Sequence, residues 1–154
     1  MRKLNILLIG NCGVGKTYIM KQLINYLNIN KENKIGLLDY IENDYYIITG
    51  KYNGSTFDGS DKLSMSVMNS VDQFIKLNNK IIFYEGDRFT NKTFINKYNP
   101  FIIKIMGSGL WGRNKRNSTQ SKRQINSIQT RVNNINANIE FENSESCLNN
   151  LINI

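Results

Sequence analysis

Between a largely apolar run, Leu4 to Ile9, and a helix-spaced stripe of Ile19, Met20, Leu23, Ile24 and Leu27 lies Gly10-Asn11-Cys12-Gly13-Val14-Gly15-Lys16-Thr17. The run predicts a buried parallel strand and the stripe an amphipathic helix. The segment joining them fits G-x-x-x-x-G-K-[ST]. Its glycines let successive backbone N–H groups turn inward around an anion, and the helix start adds the positive end of its dipole. Lys16 is then placed for the β- and γ-phosphates of a nucleoside triphosphate, and the Thr17 hydroxyl for magnesium. Gly10, Asn11, Cys12, Gly13, Val14, Gly15, Lys16 and Thr17 are thus the candidate residues for ATP and Mg2+. Cys12 reads as a filler at a variable position of the loop or as a thiol activated by the helix start.

The 154 residues suit one domain over 1–154, with a sizeable core. No apolar run approaches the ~18 residues that span a bilayer and no signal peptide is evident, so a soluble, cytoplasmic protein without a membrane partner is expected. Two cysteines are too few for a disulfide framework or a zinc site. Lys and Arg number 20 against 12 Asp and Glu, a formal charge of +8. That excess suits a polyanionic partner, nucleic acid first, but an Asn-, Ile- and Lys-rich chain also follows from an AT-rich genome. There is no histidine, so any proton transfer must use a carboxylate.

Further along, Ile35 to Tyr40 and Tyr45 to Thr49 predict a hairpin about Glu42-Asn43-Asp44, its second arm in the main sheet. Gly50 to Ser60 reads as a loop, and Ser60 as the N-cap of a helix carrying Leu63, Val67, Val71, Phe74 and Ile75. Met65 and Met68 on that helix read as packing residues. Lys80 to Glu85 and Phe101 to Met106 are strands, joined through a short connection containing Pro100. Ile125, Ile128, Val132 and Ile135 stripe a later helix. Ile139 to Glu142 predicts a last strand, and Ser144 the cap of a terminal helix with Leu148, Leu151 and Ile152. Alternating strands and helices mean an α/β fold, with ligands at the carboxyl ends of the strands.

Asp87 and Arg88 follow a central strand on the same sheet edge as the glycine loop. They face the place of a phosphate acceptor, unless they form a solvated ion pair. Glu85 is either a metal-site carboxylate with Thr17 or a structural one. The basic run from Arg113 to Arg123 reads as a lid, approximately 108–131, whose Arg113, Arg116 and Arg123 close on the γ-phosphate, or else as a solvated face. Trp111 stacks on a base or anchors the lid.

The Gly86-Asp87-Arg88-Phe89 step resembles the Asp-Arg-Tyr step of thymidylate kinases. Gly50-Lys51-Tyr52 through Asp61-Lys62-Leu63-Ser64-Met65, Tyr84 to Phe89, and Gln120 to Thr130 are similar to stretches of phage-encoded 5-hydroxymethyluracil DNA kinases, relatives of thymidylate kinase. With the glycine loop, the resemblance spans most of the chain. It implies a P-loop, nucleotide-kinase-like three-layer fold with a mostly parallel five-stranded sheet, order 2-3-1-4-5, a hairpin edge strand and a basic lid. It also implies a kinase that phosphorylates the hydroxymethyl group of 5-hydroxymethyluracil within DNA, a step toward hypermodified thymidines that evade restriction. Lys16, Asp87, Arg88, Arg113 and Arg116 are then the catalytic candidates, and Asp58, Asp61, Lys62 and Arg88 the acceptor-binding ones. The chain is shorter than a typical member, so an appended segment of the family is expected to be absent.

The alternative is a deoxynucleoside monophosphate kinase; a third reading is a nucleotide-binding module without transfer activity. A monophosphate needs no base, whereas a hydroxymethyl group must lose a proton to a carboxylate, Asp87 first and Asp58 or Asp61 next. Only Phe89 to Asn99 separates the Asp-Arg step from the next strand, which leaves the acceptor side open enough for a polymer.

Overall fold

The computed structural model describes residues 3–55 and 58–153. Its centre is a strand, β1 (Leu4–Gly10), that pairs in parallel with β5 (Ile81–Glu85) on one side and β6 (Phe101–Ile105) on the other. Buried on both faces, these strands need apolar residues at nearly every position, hence their unbroken hydrophobic runs. The sheet extends in parallel to β4 (Tyr46–Thr49) beside β5 and to β7 (Ile139–Phe141) beside β6. Numbered among themselves, these five strands stand in the order 2-3-1-4-5.

Among the described residues the sheet has seven strands rather than five: antiparallel β3 (Leu38–Glu42) and β2 (Lys31–Ile35) continue it beyond β4. The run Ile35 to Tyr40 is therefore not one strand, because Gly36 and Leu37 turn the chain between β2 and β3. At the sheet edge β2 is largely exposed, with only its Ile35 packed on the core, so it lacks a hydrophobic pattern. Its lysines instead face carboxylates in register, Lys31 to Glu42 and Lys34 to Asp39, each 3.9 Å apart.

Helices cover both faces. Against one lie α1 (Lys16–Tyr26) and α6 (Ser144–Ile152), where Ile19, Met20, Leu23, Cys147 and Leu148 pack on Ile6, Leu8, Phe83 and Ile103. Against the other lie α2 (Met68–Leu77), α3 (Lys92–Tyr98) and α5 (Lys122–Asn133), with Val71, Phe74, Phe94 and Val132 on Leu7, Ile9, Ile82 and Tyr84. A short α4 (Leu110–Lys115) follows β6. Among the described residues none of these helices is long and apolar enough to cross a membrane.

Several local expectations change. Ser60 does not cap α2; it opens a 3-10 turn, Ser60–Lys62, after which Leu63 is extended. Leu63 and Val67 reach the core all the same, from outside the helix. Met65 is 78% exposed on the rim of the cleft and outside the core, whereas Met68 does touch the core. The Phe89–Asn99 connection contains α3, capped where the Asn91 side chain accepts the Phe94 N–H at 2.8 Å. In α6 the cap is Asn143, not Ser144, and accepts from the Ser146 N–H. Thr56 and Phe57, in the predicted Gly50–Ser60 loop, lie outside the described residues.

Candidate active site

The Gly10–Thr17 segment leaves the carboxyl end of β1 and becomes α1 at Lys16. Gly13 and Gly15 take φ of 90° and 100°, a left-handed region that a side chain disfavours, and this lets the loop curl before the helix. Gly15 is the N-cap and offers no side-chain oxygen, so the first helical N–H groups keep their capacity for an anion. Lys16 folds back over the loop: its Nζ donates to Gly10 O at 2.9 Å and Asn11 O at 3.0 Å. Burial pushes the Lys16 pKa down, against the pull of the Glu85 carboxylate.

Glu85, at the end of β5, is 2% exposed. Thr17 Oγ1 lies 3.0 and 3.2 Å from its two oxygens, and the Tyr52 hydroxyl donates to Oε1 at 3.1 Å. Burial raises the Glu85 pKa to about 7, opposed by Lys16 and by the Thr17 and Tyr52 hydrogen bonds. Among the described residues no three His, Cys, Asp or Glu side chains cluster to hold a metal. The Thr17 hydroxyl, backed by one carboxylate, still fits a magnesium ion that takes its remaining ligands from phosphates and water.

One cleft of about 1150 Å3 joins these groups to the acceptor candidates. Lys16, Thr17, Glu85, Asp87, Arg88 and Asp61 line it from the sheet side, and across from them stand Trp111 of α4, Arg116 just past that helix, and Arg123 and Arg131 of α5. Asp87 Oδ1 accepts from Arg131 Nη1, which ties the end of β5 to α5. Arg88 donates its Nε to Leu63 O at 3.3 Å. Trp111 is 75% exposed with the Lys115 ammonium 4.9 Å from its ring centre, so it anchors no core. Cys12, half-buried, donates its thiol to Gln120 Oε1 at 2.6 Å and accepts from Arg116 Nη2 at 3.2 Å.

Two acceptor candidates sit elsewhere. Asp58 is buried and does not line the cleft. Its carboxylate meets Lys21 at 2.8 Å and Lys62 at 3.1 Å, and the N–H groups of Gly54 and Ser55 donate to it. Burial alone would push its pKa up; the bonds from Lys21, Lys62 and Gly54 outweigh it and hold the carboxyl well below the carboxylate range. With every lone pair engaged, Asp58 is a structural anion and no candidate base. Lys62 is used up on Asp58 and Asn53. Asp58→Asn should cost about 2 kcal/mol at pH 7, since it strands two lysines without their counter-charge. A lowered pKa adds stability above the unfolded value of ~3.9 and loses it as pH falls. Urea unfolding at pH 7 and pH 3 should therefore show the deficit shrinking in acid; equal stability at pH 7 would remove this role.

Sequence reading missed Tyr52 and Arg131. Neither has a local signal, because each acts on a carboxylate at least 33 positions away. No protein-family model matches this chain, and no curated protein matches it significantly.

Proposed function

We propose that this chain is an ATP-dependent P-loop kinase of the nucleotide-kinase-like class, acting on the hydroxymethyl group of 5-hydroxymethyluracil within DNA. The observation that carries the reading is the convergence of Lys16, Thr17 and Glu85 with Asp87 and Arg88 on one cleft. The glycine loop and the start of α1 hold the triphosphate, and Lys16 leaves its own loop carbonyls for the β- and γ-phosphates. Thr17 and Glu85 would hold a magnesium ion, which would supply charge neutralisation across those phosphates. Asp87 takes the proton of the acceptor hydroxyl. The hydroxyl oxygen then bonds to the γ-phosphorus as the bond to the β-γ bridging oxygen breaks, and ADP leaves with that electron pair. Arg116 and Arg123, on the cleft wall, suit the negative charge of ATP and of a DNA backbone.

One observation favours a second reading, a deoxynucleoside monophosphate kinase. Asp87 is already paired with Arg131, and a monophosphate acceptor needs no base.

The test is labelled Mg-ATP with a panel of acceptors. Label should enter DNA containing 5-hydroxymethyluracil and not thymine DNA, which lacks the nucleophilic oxygen. DNA binding should weaken as salt rises. The free hydroxymethyl-deoxyuridine monophosphate should be a poor substrate, because it forfeits the backbone contacts that position the base. Label in free thymidylate alone would install the second reading, and no transfer to any acceptor would leave a nucleotide-binding module.

A further inference from the structure

We infer that Arg113 and its neighbouring glycines form a buttress that fixes the shape of the glycine loop, making Arg113 a positioning residue and not a group aimed at the transferring phosphate. The inference rests on reading that loop as the triphosphate site.

Arg113 does not line the cleft that Lys16 and Thr17 share; it borders a separate depression with Asn114 and Asn117. Its Nη1 donates to Cys12 O at 2.7 Å and to Ser108 O at 2.6 Å. Charge-assisted bonds of this length are among the stronger ones in a protein. The two backbones also meet. A Cβ on Gly109 would overlap Cys12 O, one on Gly112 would overlap Gly13 O, and one on Gly13 would overlap Gly109 O. Asn11 adds a tie, donating Nδ2 to Gly107 O at 2.7 Å.

A consequence for the ligand follows from peptide geometry. In a planar trans peptide the C=O and N–H point in opposite directions. A guanidinium that holds the Cys12 carbonyl therefore turns the Gly13 N–H away from α4, toward the loop's concave side. Glycine at 109 and 112 lets α4 come close enough for that hold, and glycine at 13 accepts the backbone twist that results. Arg113 thus orders the loop whether or not a γ-phosphate is present.

The two roles separate on ligands that lack a γ-phosphate or a base. Calorimetry with ADP and with inorganic pyrophosphate, alongside turnover, is run on wild type, Arg113→Ala, Arg113→Lys and Gly112→Ala. Arg113→Ala should weaken both ligands by about tenfold, the effect of one lost charge-assisted hydrogen bond. Arg113→Lys should recover part of that loss. Gly112→Ala should weaken both ligands too, although it removes no charge. Melting curves accompany each variant, and where Arg113→Ala does not fold the other two carry the comparison. Unchanged ADP and pyrophosphate affinity in folded variants overturns the buttress, and a fall in turnover alone would make Arg113 a γ-phosphate group instead. Wild-type protein that binds neither ligand would remove the underlying reading of the loop.

Discussion

Replacing Lys16 by alanine should slow phosphoryl transfer by ~100-fold or more while the protein stays folded. The size follows from losing a positioned charge on the transferring phosphate in a site screened from water. The fold should survive because Lys16 holds no other element: its two hydrogen bonds go to Gly10 and Asn11 of its own loop. Water can replace the ammonium at those carbonyls, and the apolar face of α1, Ile19, Met20 and Leu23, is untouched. Steady-state turnover and a thermal melt on the same preparation decide the matter. A folded Lys16→Ala protein within a few-fold of wild-type turnover would end the kinase reading.

Asp87→Asn should have a comparable effect by a different route. An amide of the same shape can still accept from Arg131, so the tie between β5 and α5 persists, yet it cannot take a proton from a hydroxyl. General-base contributions run to ~10²–10⁴-fold, and a loss in that range is expected with ATP binding unchanged. The measurement is turnover on 5-hydroxymethyluracil DNA together with ATP affinity. A mutant that keeps most of its rate at neutral pH would show that Asp87 is no base. Asp61, which also lines the cleft, would be next, since Asp58 is saturated by its lysines.

What could be read from the chain alone divides by whether the signal was local. Leu4–Gly10, Ile81–Glu85 and Phe101–Ile105 are buried on both faces and announce themselves as apolar runs, and α1 as a stripe. Lys31–Ile35 is exposed at an edge, so its strand character comes from pairing with β3 and not from its own residues. The α2 stripe correctly marked Leu63 and Val67 as core, but burial does not require one continuous helix, and a serine turn delays its start to Met68. At the candidate site, the strand-end carboxylates and the glycine loop were legible because each sits where a strand stops. The destinations of the arginines were not. Arg113 reaches Cys12, Arg131 reaches Asp87, and only the fold brings those partners near.

The order of strands has a consequence for how the chain comes together during synthesis. Among the described residues β1 pairs with β5 and β6 alone, so it has no strand partner until Ile81–Glu85 has emerged and no second one until Phe101–Ile105 has. α1 can settle on β1 early, but its other packing neighbour, α6, comes only with residues 144–152, and Gly15 lies against Ser144 at the start of that helix. Pairings this distant in sequence carry a large loop-closure cost and slow folding. Until β5, β6 and α6 are made, the apolar faces of β1 and α1 are only partly covered, the condition that invites chaperone capture. The loop between β1 and α1 thus gains its neighbours, Gly109 and Arg113 beside Gly13 and Ser144 beside Gly15, only from segments made long after it.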